Sequence, residues 1–285
     1  MYTIKRLVKT QLKAFGRPLV YILLSYRKRN GIKFARVYFM EKERKFGITS
    51  ATLHIIAMVF MLCDHLWARV IPGNEWLTCI GRLAFPIFAF MIAEGYSHTS
   101  NVWRYLKRLL IMAVISEIPF NLMYSSSIVY PFHQNVMWTL ALGLLLIHFI
   151  ETVRKKGKIW LTAVTILLSC IAGWLVGYIA MVYYYGAGVL MVIVFYLFHH
   201  RKWWCIIGQV VCLWYINVEM LGGLYYPVEI FGHSFELVQQ SLAMLSLVFI
   251  WLYNGKKGCD KKWFGSFCYA FYPLHMLVIA LAVIL

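Results

Sequence analysis

Leu140-Ala-Leu-Gly-Leu-Leu-Leu-Ile-His-Phe-Ile150-Glu-Thr-Val-Arg154-Lys155-Lys156-Gly-Lys158-Ile159-Trp-Leu-Thr-Ala-Val-Thr-Ile-Leu-Leu-Ser-Cys170 is an apolar run, a basic break and a second apolar run. The first run does not alternate between polar and apolar residues, so it does not read as a strand of a membrane β-barrel. Each run belongs to a block close to the ~20 residues that a helix needs to cross a bilayer. Between them stand the cations Arg154, Lys155, Lys156 and Lys158.

The same alternation extends in both directions. Blocks recur at about 50–68, 77–95, 105–124, 136–152, 159–178, 187–199, 203–218, 237–253 and 263–285. The chain is expected to be all-α, a polytopic transmembrane bundle of about nine spans. The sixth block is short for a full crossing, so eight spans or a re-entrant segment is the alternative. A hydrophobic fraction of 62%, a mean hydropathy of +0.70 and only 14% charged residues exceed what a soluble domain needs.

A formal net charge of +17 would suit a nucleic-acid binder, but its placement points to lipid. Thirteen of the 28 Lys and Arg residues precede Phe46. Most of the others stand at every second break, as Arg104/Lys107/Arg108, Arg154 to Lys158, Arg201/Lys202 and Lys256 to Lys262. The intervening breaks are nearly free of them, with Arg69 alone between 68 and 81 and none in 124–132, 177–188 or 217–236. By the positive-inside rule the N-terminus is cytoplasmic, the C-terminus is outside, and no nucleic-acid partner is expected.

Residues 1–46 form a separate basic segment around the short apolar stretch Leu19 to Leu24, expected to lie on anionic lipid at the cytoplasmic face. It lacks the apolar core and small-residue cleavage site of a signal peptide. The seven cysteines contain no Cys-x-x-Cys and fall mostly in apolar runs, and His199-His200 sits at a helix end beside Arg201-Lys202. Neither suggests a metal site or a disulfide framework. Phosphate-loop, zinc-protease and serine-elbow motifs are absent from the sequence.

Ionisable groups inside hydrocarbon cost several kcal/mol unless paired or wetted, so they mark the candidate site. Asp64 and His65 close the first span, Arg82 opens the second, and Glu117 lies in the third. His275 is near the middle of the last. With Asn121 and Asn135 they fall in the outer half of the bundle, at a depth where different helices could bring them together. A histidine there could take a proton from an attacking amine or hydroxyl, with Asp64 or Glu117 fixing its tautomer. Arg82 would either orient an anionic group or neutralise a carboxylate. Pro86, Pro119 and Pro273 stand near these residues and would disturb their helices. A second group, Glu94, His98, Asn101, Arg104 and Arg108, falls towards the cytoplasmic side, where Glu94 and His98 are spaced as an i,i+4 pair.

Several of these residues sit in ordered motifs. They are Met61-Leu-Cys-Asp64-His65, then Gly81-Arg82-Leu-Ala-Phe-Pro86 running on to Glu94-Gly95-Tyr-Ser-His98-Thr-Ser-Asn101, and Tyr105-Leu-Lys-Arg108-Leu109. Further on come Ser116-Glu117-Ile-Pro119-Phe120-Asn121, Asn135-Val-Met-Trp-Thr139, Leu252-Tyr253-Asn254-Gly255 and Phe271-Tyr272-Pro273-Leu274-His275. In these the chain resembles the TraX family of membrane proteins over about 50–280. The family is named for a conjugation protein associated with acetylation of F-type pilin, and 47–285 would be its domain.

The resemblance implies a multi-pass protein of the bacterial cytoplasmic membrane. It also implies an acyltransferase that takes acetyl from acetyl-CoA to an amine or hydroxyl on a pilin, a glycan or a small molecule, without a metal. His65 or His275 would then be the base, Asp64 or Glu117 its orienter, and Arg82 with Asn121 or Asn135 the stabilisers of developing charge. Arg104, Lys107 and Arg108 would meet the CoA phosphates. A non-catalytic assembly protein for pili or envelope polymers and a small-solute transporter are the rival readings. The family pattern carries an acidic residue before a mid-chain Tyr-Gly, where this chain reads Tyr184-Tyr185-Gly186.

Overall fold

The structure, a computed structural model, describes residues 46–230 and 233–284. The basic segment expected over 1–46 lies outside them except for its last residue. The described chain is a bundle of α-helices: α1 (Ser50–Arg69), α2 (Glu75–Gly81), α3 (Ala84–His98), α4 (Val102–Ser125), α5 (Val136–Arg154), α6 (Ile159–Ile179), α7 (Tyr185–Leu197), α8 (Trp203–Trp214), α9 (Ser246–Leu252) and α10 (Lys262–Ile284). A π-helical segment, Tyr215–Leu221, continues α8, and a 3₁₀ segment, Gln239–Leu245, leads into α9.

Side chains placed at the helix starts take up their orphan N–H groups. Thr49 Oγ1 accepts from the Thr52 amide, Asn101 Oδ1 from Arg104 and Asn135 Oδ1 from Met137. The second span is broken at Arg82–Leu83, between α2 and α3. Pro86 explains the break: it lacks an N–H, and in a continuous helix its ring would meet the carbonyl of Arg82 four residues back. In the first turn of α3 the missing donor costs nothing.

Six of the nine expected spans are long and apolar enough to cross a membrane: Ser50–Arg69, Glu75–His98, Val136–Arg154, Ile159–Ile179, Trp203–Leu221 and Trp263–Ile284. The other three also fall on helices. α4 has the length, at 24 residues, but carries Arg104, Lys107, Arg108 and Glu117. α7 has 13 residues, and Gln239–Leu252 is likewise a short apolar helix. One element was not expected. An antiparallel hairpin of β1 (Tyr225–Ile230) and β2 (His233–Val238), in register Tyr225 to Val238, precedes the eighth block and takes its first two residues.

α3 and α7 form the centre. Val189, Met191, Val192, Ile193 and Phe195 of α7 are buried, and α7 packs on α3, α5, α6 and α8. A helix enclosed by other helices need not match the hydrocarbon thickness, which accounts for its length. α6 is the opposite case: it buries only Thr165, Ser169, Gly173 and Gly177, a stripe of small residues, and leaves the rest half-buried or exposed. A Cβ on Gly177 would lie 2.9 Å from the backbone of Gly186 in α7, so these two helices touch backbone to backbone.

Hydrogen bonds close both ends of the bundle. At one end, which carries the basic breaks, the Ser50 and Ala51 amides reach Lys256 and Lys257 carbonyls, and Arg201 donates to the Tyr253 carbonyl. At the other, which carries the β-hairpin, Gln134 pairs with Val182, and Arg69 Nη2 donates to Ser126 Oγ at 3.0 Å.

Candidate functional site

Towards the hairpin end, successive positions of α1 hold two buried polar pairs. Asp64 and His65 are 8% and 6% exposed. The Asp64 carboxylate Oδ1 accepts from Thr78 Oγ1 at 2.8 Å and from Arg82 Nη2. Arg82 Nη2 also donates to Thr78 Oγ1 at 3.0 Å, and its Nε donates to the Thr78 carbonyl at 3.3 Å. Its Nη1 is held least, at 3.5 Å from Gln240 Oε1. Gln240 is anchored in turn by donating to Asn217 Oδ1 at 3.0 Å in the π-helical segment, whose widened turn is a frequent feature of functional sites.

His65 turns to the last helix. Its Nδ1 lies 2.7 Å from His275 Nε2, and His275 Nδ1 lies 2.7 Å from the Phe271 carbonyl oxygen. The two imidazoles are close to parallel, and Phe271 stacks on His275 with centroids 4.8 Å apart. Of the alternatives open in the sequence, Arg82 pairs with Asp64, and the partner of His65 is His275. Neither Asp64 nor Glu117 hydrogen-bonds a histidine among the described residues.

Glu117 belongs to a neighbouring group. Its Oε2 accepts from Asn135 Nδ2 and from Trp138 Nε1 at 3.1 Å, while Oε1 is buried with no hydrogen-bond partner among the described residues. Asn135 also donates to the Ala113 carbonyl at 2.8 Å, so both of its amide hydrogens are engaged. Asn121 donates to the Ile128 carbonyl at 3.2 Å, and its Oδ1 is likewise buried without a partner among the described residues. Phe120, Tyr124, His133 and Tyr183 stack beside them, and Tyr272 OH accepts from the Val136 amide.

The group expected at the opposite end is looser. Glu94 and His98 form their i,i+4 pair at 2.9 Å, Asn101 caps α4, and Arg104 and Arg108 are exposed. That end also holds a buried centre that the sequence reading overlooked: Glu151 Oε2 accepts from Tyr196 OH at 2.5 Å and from Arg154 Nη2 at 2.6 Å. A glutamate inside the apolar block of α5 was the available signal. Among the described residues no group of three or more His, Cys, Asp or Glu could hold a metal ion.

Compared with known families, residues 49–283 match the model of the family described as TraX protein. The chain belongs to the TraX family. The TraX motifs Met61 to His65, Gly81 to Asn101 and Phe271 to His275 thus supply both ends of the two buried pairs. Gly81 has a geometric role within them: a Cβ there would lie 2.4 to 2.8 Å from Asp64 side-chain atoms, so the glycine lets α2 approach α1 closely enough for Arg82 to reach Asp64. At the position where the resemblance leads us to expect an acid, Tyr184 takes a left-handed backbone conformation (φ 60°) and packs on Phe85 with ring centroids 4.5 Å apart. The chain is also 32% identical over 114 residues to a protein of Dichelobacter nodosus named probable fimbrial assembly protein FimC, serogroup H1. That match covers 36% of this chain and 47% of the relative, so the chain spans about half the length of the curated relative it matches. No solved structure matches.

Proposed function

We propose that this TraX-family protein is an integral membrane acetyltransferase, carrying acetyl from acetyl-CoA to an amine or hydroxyl of a pilin or another envelope acceptor. In this reading it resides in the bacterial cytoplasmic membrane, follows a nine-span course with its N-terminus in the cytoplasm, and turns its hairpin end outwards. The observation that carries it is the hydrogen-bonded His65–His275 pair at the position next to the Arg82–Asp64 pair, both inside an apolar bundle. Acyl transfer requires a base for the attacking group and a positive or donor group for the oxygen of the tetrahedral intermediate. The histidine pair supplies the base. Arg82 supplies the cation, through the Nη1 that its neighbours hold least.

The remaining residues fit around that step. Glu117 Oε1 and Asn121 Oδ1 offer lone pairs to N–H or O–H groups of the acceptor. Asn135, whose amide hydrogens are both used, holds the Glu117 carboxylate in place and does not stabilise the oxyanion. Exposed Arg104 and Arg108, with Lys107, receive the CoA phosphates at the basic end.

The test is transfer of radiolabelled acetyl by the purified protein in nanodiscs, together with mass spectrometry of envelope proteins and glycans from cells with and without the gene. A difference of one acetyl group that disappears in His65→Ala at normal expression is expected. Unchanged acetylation in His65→Ala would remove the assignment. The similarity to a protein named for fimbrial assembly favours one other reading, a non-catalytic assembly factor. Altered fimbriae with no acetyl difference would select it.

A further inference from the structure

The two histidines are not interchangeable. His275 Nδ1 faces the Phe271 carbonyl oxygen at 2.7 Å, and a carbonyl oxygen can only accept, so Nδ1 carries the proton. In a neutral imidazole the second nitrogen then holds a lone pair, so His275 Nε2 is an acceptor. Its contact at 2.7 Å is His65 Nδ1, which therefore donates. That places the remaining lone pair of the dyad on His65 Nε2, for which no hydrogen bond is present among the described residues. One backbone carbonyl thus sets the protonation of four ring nitrogens in turn. Both rings are more than nine-tenths buried, so water does not scramble the order.

We infer that His65 Nε2 is the proton-accepting atom of the site and that His275 is a positioning residue, which holds His65 in the Nδ1–H form and takes up charge from it. The catalytic half of this statement rests on the acetyl-transfer reading; the tautomeric half does not. In the transfer step the acceptor nitrogen or oxygen attacks the thioester carbonyl carbon, a C–N or C–O bond forms and the C–S bond breaks with its electron pair going to sulfur. The proton released by the acceptor goes to His65 Nε2. His65 can then pass its Nδ1 proton to His275 Nε2, which leaves the positive charge on a ring whose two N–H groups are both hydrogen-bonded, one to His65 and one to Phe271. Reversal of that shift returns a proton from His65 Nε2 to the departing thiolate. Atoms and charge balance without another reactant.

Two measurements test this. The first is ¹⁵N NMR of histidine-labelled full-length protein in nanodiscs at a pH where the pair is neutral, the two resonances being identified by their loss in His65→Gln and His275→Gln. Both rings are expected in the Nδ1–H form, whereas free imidazole side chains favour Nε2–H. An Nε2–H resonance from His65 would overturn the assignment whether or not the protein transfers acetyl. The second measurement is the kcat and KM of the variants. His65→Gln should lose about 10²-fold or more in kcat, in the range of a lost general base. His275→Gln, whose amide oxygen can still accept from His65 Nδ1, should lose less than tenfold. His275→Leu, which offers no acceptor, should fall close to His65→Gln with KM little changed. Equal kcat in His275→Gln and His275→Leu, or a greater loss in His275→Gln than in His65→Gln, would overturn the positioning role. A protein with both tautomers as assigned and no acetyl transfer would sink the enzymatic reading and leave the tautomer assignment standing.

Discussion

Asp64 occupies the volume that a side chain at position 81 would need, so the smallest possible substitution there is a direct probe of the site. Gly81→Ala is expected to cost about 1–3 kcal/mol through overpacking and to move Arg82 away from Asp64, seen as a lower midpoint in detergent denaturation. Asp64→Asn leaves Arg82 inside the bundle without its counter-charge, and about 3–5 kcal/mol should be lost. If the two act as a pair, Asp64→Asn with Arg82→Met will lose less than the sum of the single changes; simple additivity would argue against it. In the loop after α4, burial pushes His133 below the ordinary imidazole value of 6.5. The unfolded chain then binds the extra proton and the folded one resists it, so stability is complete above about pH 6.5 and falls as the pH drops below it. His133→Phe, which can keep the stacking on Phe120 and Tyr124, should flatten the decline measured between about pH 7.5 and 5.5. At this scale the sequence was informative about which residues matter and silent about pairing. Asp64, His65, Arg82, Glu117 and His275 stood out because charge in hydrocarbon is costly. Their partners did not: His65 and His275 are 210 positions apart, and Thr78, Gln240 and Asn217 are uncharged residues that raise no alarm in an apolar block.

Among the elements, α6 and α7 show how far hydropathy can be read. Both are apolar, but α7 is enclosed while α6 lies on the outside. Met191→Ala and Ile193→Ala in α7 should therefore each cost about 2–5 kcal/mol, and Leu167→Ala in α6 should change the unfolding midpoint little. A comparable loss in all three would mean that α6 packs against something in the membrane. Hydropathy measures affinity for an apolar surrounding and does not distinguish lipid from protein, so the block that became α7 read as a crossing by its composition and as a doubtful one only by its length of 13 residues. The hairpin of β1 and β2 had a signal of its own, since Val228, Ile230, Phe235 and Leu237 alternate with polar neighbours on either side of Phe231-Gly232. In a chain where continuous apolar blocks dominate, that period of two was overlooked. The break in the second span was partly legible, because Pro86 announced a disturbance, although its position at Arg82 follows only from the geometry of the helix start.

For the molecule as a whole, the charge alternation and the hydrogen-bonded ends divide the bundle into a basic end and a hairpin end. In the proposed orientation, cysteines introduced at Ser234 and at Gly157 in a background lacking the native ones should differ sharply. An impermeant maleimide applied to intact spheroplasts should label the first and spare the second, and the opposite pattern would invert the proposed orientation. The enclosed α7 bears on that orientation in electrical terms. Its 13 residues make a rod of about 20 Å, against a hydrocarbon core of about 30 Å. If water reaches both of its ends, the insulating layer at the centre of the protein is thinner than the surrounding bilayer, and the same membrane voltage falls across it about half as steeply again. A proton taken up at the hairpin end would then move within that concentrated field, and turnover in proteoliposomes should respond to an imposed voltage as well as to substrate.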